Sequence, residues 1–136
     1  MDDGPRQELR RIISTYGRSI CHDPDWFAAL LRAACPVHPH EVELIRKALD
    51  DRITSRLLAL PDGMPWDAAS SPLVRRLVND LLLSEDEARW AVDSWGLALG
   101  KVTPQELAAA HPRELIGDAA APTPGAKRSF WRWLTG

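Results

Sequence analysis

The stretch Ala88-Arg89-Trp90-Ala91-Val92-Asp93-Ser94-Trp95-Gly96-Leu97-Ala98-Leu99-Gly100 constrains the fold most. Ala88, Ala91, Val92, Trp95 and Leu99 recur at helical spacing and form one apolar stripe. Trp90 and Leu97 lie roughly opposite. A helix that is apolar on two sides is buried in a core, or keeps one face for a partner. Each Trp ring buries on the order of 150–250 Å². The rest of the chain is therefore expected to pack around this helix, with the Trp90 and Leu97 side as a candidate binding face.

The remaining apolar periodicity is helical throughout, and no stretch alternates as a strand does. Leu9, Ile12, Ile13 and Tyr16 predict a helix over 6–16 with Gly17 as a candidate C-terminal cap. Asp23-Pro24 is a start signal, since Asp accepts from free N–H groups and Pro suits the first helical turn. A second helix is expected over 24–34, a third over 39–50, and a short fourth opening at Thr54 and running through Leu60. One continuous helix over 39–60 is the alternative. Residues 61–71 hold two prolines and a glycine and are expected to form the main loop. Trp66 within that loop is expected to plug the end of the core. Ser71-Pro72 repeats the start signal for a helix ending near Leu82, with Leu73, Val74, Leu77, Val78, Leu81 and Leu82 inward. Ser84-Glu85-Asp86-Glu87 and Thr103-Pro104-Gln105-Glu106 both match the capping box. The fold class is thus all-α, a single compact bundle of six or seven short helices over residues 1–116, with a flexible C-terminal tail.

Residues 117–128 are rich in Ala, Pro and Gly and read as a linker. They deliver an aromatic and basic segment over 129–136, in which Phe130, Trp133 and Leu134 share a helical face. Such i, i+3, i+4 anchors suit a helix lying in a partner's groove. Trp and Arg are also enriched at binding hot spots. Phe130, Trp131, Arg132, Trp133 and Leu134, with Trp90 and Leu97, are therefore the expected partner-binding residues. Fold-back of the segment onto its own domain is an alternative. Contact with a membrane surface is the weaker expectation, because three basic residues bind membrane poorly on their own.

Charge narrows the partner class. The chain of 136 residues has a net charge of −2. Residues 117–136 carry three basic side chains and one acid, a net of +2, which leaves −4 on 1–116. The globular part lacks the basic stripe that nucleic acid requires. No apolar run is long enough to span a membrane as a helix. The acidic start, Met1-Asp2-Asp3, has no secretory h-region, so a cytoplasmic chain with free thiols is expected.

Chemistry finds few residues to work with. There is no phosphate loop, Gly-x-Ser-x-Gly elbow or His-Glu-x-x-His in the sequence, and the acids fall at helix starts or on solvated faces. No catalytic residue, cofactor or metal is expected. Cys35, His38 and His40 form a Cys-x2-His-x-His cluster lacking a fourth ligand. A ligand- or metal-sensing domain built on these three is the alternative function. Cys21 and Cys35 flank the second helix and are expected to lie too far apart to pair.

Tyr16-Gly17, Cys21-x-Asp23-Pro24, Ala29-Leu30-Leu31, Cys35, Glu41, Leu44, Ala48-Leu49, Arg76-Leu77 and the Trp-centred run over 88–100 together resemble a small helical accessory module of multidomain bacterial proteins. In those proteins it accompanies kinase, repeat or chaperone-type domains. The resemblance covers residues 9–100. It implies a non-enzymatic bacterial adaptor or regulatory role, with a kinase, chaperone-type or other multidomain protein as partner. It carries no catalytic residues.

Overall fold

The structure, a computed structural model, describes residues 3–110. Among these the chain is all-α, with no strand. The helices are α1 (Gly4–Tyr16), α2 (Pro24–Ala34), α3 (Pro39–Asp50), α4 (Ile53–Leu58), α5 (Trp66–Leu81), α6 (Glu85–Ala98) and α7 (Pro104–Ala110). A 3₁₀ turn, Arg18–His22, joins α1 to α2. Among the described residues those up to Pro104 pack as one compact unit, and 105–110 belong to a second. The expected domain end at residue 116, the linker over 117–128 and the segment over 129–136 lie outside the described residues.

The local signals act as the sequence implies at four helix ends. Gly17 closes α1 at φ +80°, and its N–H donates to the carbonyl of Ile13. A side chain other than glycine would be strained there. Asp23 caps α2 by accepting from the N–H of Trp26 at 3.3 Å. Pro39 stands in the first turn of α3. Ser84 and Glu87 complete the capping box of α6: Ser84 Oγ accepts from the N–H of Glu87 at 3.1 Å, and Glu87 Oε1 accepts from the N–H of Ser84 at 3.0 Å. Each substituted cap of this type costs about 0.5–2 kcal/mol.

α6 is the centre of the first unit. It packs against α1, α3, α4 and α5, while α2 bridges α1 and α3. Ala88, Ala91, Val92, Trp95 and Leu99, the expected stripe, are all buried. The Trp95 ring meets Phe27 of α2 with centroids 5.5 Å apart. Its Nε1 donates to the carbonyl of Ile45 in α3 at 3.0 Å. One indole thus fills the core and ties two helices while leaving no buried donor unpaired.

Three expectations are corrected. Thr54 does not cap α4: that helix begins at Ile53 behind Arg52, which takes the left-handed conformation at φ 65°, and Thr54 is buried inside it. Asp51 and Arg52 separate α3 from α4, so the two are not continuous. Residues 66–71 are helix rather than loop, and Pro72 lies inside α5 rather than at its start. The burial of Trp66, Ala69 and Ser70 draws these residues into the helix and outweighs the local cost of the proline. At the far end, Leu82 leaves the helix in the left-handed region at φ 56° and is 88% exposed, so it is not part of the inward arc.

Candidate functional site

The second apolar side of α6 faces α1. Arg6 on α1 crosses it: Nε donates to Ser94 Oγ at 2.9 Å and Nη2 donates to the carbonyl of Trp90 at 3.4 Å. The guanidinium carbon lies 5.4 Å from the centroid of the Trp90 ring, within cation–π range. Trp90 is half-buried beneath it. Two turns further along, Leu97 is only 9% exposed, and α1 covers it incompletely. There the two helices leave an open groove of about 470 Å³.

The groove is lined mainly by polar groups. Ile13, Leu97 and Ala98 also border it, with Ile13 and Leu97 almost wholly buried. Gln7, Arg10, Arg11 and Ser14, at i, i+3, i+4, i+7 on α1, form a wall. Arg11 is held by Glu8 at 2.7 Å, while Arg10 makes no ion pair with any described residue. The α1 wall of the groove lies on the basic part of the sequence, and its α6 side on the acidic remainder. Residues 4–22 carry four arginines against one glutamate, a net of +3, whereas residues 23–110 carry nine basic and fourteen acidic side chains, a net of −5. Arg18, at the end of this basic segment, donates to the carbonyl of Leu99 at 3.3 Å and secures the C-terminal end of α6 beside the groove. Arginines along one wall of a groove can fix a carboxylate of a partner.

The other expected site residues are placed as follows. Leu97 lines the groove floor, and Trp90 continues the same α1–α6 seam under Arg6. The structure therefore gives this side of α6 an internal partner, α1, which covers most of it. Phe130, Trp131, Arg132, Trp133 and Leu134 lie outside the described residues. Cys35 is buried at the C-terminal cap of α2, and His38 stands before α3. His40 turns to α6, with Nε2 2.7 Å from Oε2 of Glu87. Among the described residues no group of three or more His, Cys, Asp or Glu side chains is arranged to hold a metal ion. Cys21 and Cys35 form no disulfide, as expected from their separation, and burial pushes the Cys21 thiol up from its ordinary value.

Trp66 does plug the core, with a polar connection that the sequence did not suggest. Its Nε1 donates to Oδ1 of buried Asp93 at 2.8 Å. Its ring lies against Gly96, where a Cβ would stand 2.7 Å from Cζ2 of the indole. The groove itself was half legible: Leu97 was flagged by the two-sided wheel of α6. The arginine wall has no such signal in the sequence, because only the α1–α6 crossing shows what it borders.

Compared with family models, with curated proteins and with solved structures, this chain has no match in any of the three.

Proposed function

We propose that this chain is a non-enzymatic bacterial adaptor or regulatory protein. It binds a partner protein through two elements, the α1–α6 groove of its helical domain and the aromatic-basic segment over 129–136. The observation that carries the reading is the open groove in which Leu97 and Ile13 lie beside Arg10 and Arg11. A groove between two helices whose wall carries exposed arginines suits a protein contact in which charge supplies register. The sequence of the C-terminal segment supports the same role, since Phe130, Trp131, Arg132 and Trp133 are of the hot-spot types. A kinase, chaperone-type or other multidomain protein is the class of partner that the resemblance of the Trp-centred run suggests, and a cytoplasmic setting accords with two cysteines that form no disulfide.

The test is site-specific photo-crosslinking in the full chain, in its native cells. A photoreactive residue is placed at Ser14 in the groove wall, at Trp131 in the C-terminal segment, or at exposed Arg75 on α5 as a control. The expected result is one protein captured from both Ser14 and Trp131 and not from Arg75. Capture from none of the three, or equally from all, overturns the reading.

A further inference from the structure

We propose that the outward face of α2 is a dimerisation surface, across which α2 of a second copy packs antiparallel with the two-fold axis at Ala29. Trp26 of each copy lies over the small Ala29 and Ala33 of the other, and Asp25 of each meets Arg32 of the other. The surface is separate from the α1–α6 groove, so a dimer keeps two grooves free for the partner protein.

α2 is apolar on two sides. It packs against α1, α3 and the 3₁₀ turn, and Phe27, Ala28 and Leu31 are buried. Trp26, Ala29, Leu30 and Ala33 recur at i, i+3, i+4 and i+7 and form a second stripe. This stripe is open: Trp26 is 47% exposed, Ala29 and Ala33 are exposed, and Leu30 is half-buried. Tyr16 is exposed beside it and sets its ring edge-on to Trp26, with centroids 5.2 Å apart. A helix that is apolar on two sides, with neighbours on one of them, keeps the other for a partner. On α1, Tyr16 and the groove residue Ser14 lie about 200° apart, so the surface and the groove fall on opposite sides of that helix.

Bulk and charge along α2 select the occupant. The aromatic bulk sits at the first turn, and the small Ala29 and Ala33 follow it. The same helix run in the opposite direction presents its small residues to the ring and its ring to the small residues. With the axis at Ala29, Trp26 of one copy stands level with position 32 of the other, between Ala29 and Ala33. Alanines at the crossing let the helix axes approach to about 8 Å, the close end of the usual range. Asp25 and Arg32 are seven positions apart, about 20° on the wheel, and flank the same edge of the stripe. In an antiparallel two-fold pair like edges meet, so the two opposite charges face each other twice. A parallel pair would set Asp25 against Asp25 and Arg32 against Arg32. Arg32 is exposed and makes no ion pair with any described residue, and Asp25 stays 91% exposed although Arg46 reaches it at 3.3 Å. A contact made by the same patch on both copies closes at two.

A face of 11 residues is small for a stable interface, so a weak dimer is expected. The experiment is sedimentation of the full chain from about 1 μM to about 1 mM. A monomer–dimer equilibrium that grows no further is expected. Ala29→Glu, at the crossing point, is expected to abolish it. Asp25→Arg and Arg32→Asp each turn two attractions into repulsions and are expected to weaken the dimer at least about tenfold. The two together restore opposite charges across the axis and are expected to restore the dimer. Urea unfolding checks that each variant folds. Cysteine crosslinking reads the register directly, with Cys21 and Cys35 both changed to alanine. Ala29→Cys is expected to form a disulfide between copies. Ala33→Cys lies about 12 Å along the axis from its counterpart and is expected to form none. A monomer at all concentrations overturns the proposal. So does growth beyond a dimer, a dimer unaffected by Ala29→Glu, a double charge variant as weak as the single ones, or no preference for crosslinking at 29. Capture of one protein from both Ser14 and Trp131 alongside a strictly monomeric chain leaves the adaptor reading standing and removes this one.

Discussion

The indole N–H of Trp66 donates to the buried carboxylate of Asp93 across α5 and α6. The two residues are 27 positions apart, and Asp93 is 3% exposed. Removing the donor leaves a buried carboxylate with one partner fewer, and removing the ring also opens space in the core. Trp66→Phe is expected to destabilise the domain by about 2–4 kcal/mol, read by urea unfolding. Asp93→Asn keeps an acceptor for the indole and is expected to cost less. Equal losses in the two variants would show that the hydrogen bond matters no more than the ring.

Gly96 is a glycine in the middle of a helix, where alanine is ordinarily better by about 1 kcal/mol. Here the preference should invert. A Cβ at 96 would meet Cζ2 of Trp66 at 2.7 Å and Cγ1 of Val102 at 3.1 Å. Gly96→Ala is expected to lower stability by about 1–3 kcal/mol, the usual range for overpacking. In the background of Trp66→Ala, the same change should cost far less, and a double-mutant cycle over the two positions reads the difference.

These two relationships mark where sequence reading stops. The α6 stripe, the Asp23-Pro24 start and the Ser84–Glu87 box are local patterns, and the structure keeps all three. Trp66 was expected in the core, but its surroundings were expected to be loop. Pro61, Gly63 and Pro65 do break regular structure, while burial of Trp66, Ala69 and Ser70 starts α5 six residues before the Ser71-Pro72 signal. Local propensity loses to tertiary burial at that point. The site was legible in the same proportion. Leu97 stood out on its wheel, whereas Arg10 and Arg11 acquire meaning only from the crossing of α1 over α6. Leu82 was misplaced because its apolar character fits the helical period and nothing in the period shows where the helix stops.

Glu87 sets a pH dependence. The Ser84 N–H bonded to its carboxylate, together with the Ser84 hydroxyl and His40, holds its pKa below the usual glutamate range, against a smaller opposing effect of burial. A depressed pKa in the folded state contributes stability that is complete above the unfolded value of about 4.3 and is lost as pH falls through the lower folded value. Asp51 acts with the opposite sign. Burial pushes its carboxyl up, despite Arg76 beside it at 3.2 Å. Its contribution is present below the unfolded value and is lost as pH rises through the raised one. Urea midpoints taken between about pH 3 and about pH 7 should therefore fall less steeply on acidification in Glu87→Gln than in the parent, and more steeply in Asp51→Asn. Parallel curves for all three proteins would remove the assignment.

Leu82 is a left-handed residue whose side chain does not repay its backbone. The side chain contributes little to the core, being 88% exposed, while the backbone sits at φ 56°. Glycine adopts that conformation without the clash of a Cβ, and it is the residue preferred at helix ends of this geometry. Leu82→Gly is expected to raise the stability of the domain by about 1 kcal/mol, the cost of a left-handed L-residue less the added freedom of the unfolded chain. The variant should unfold at a higher urea midpoint than the parent. A midpoint that stays level or falls would show that the side chain of Leu82 contributes to folding in spite of its exposure.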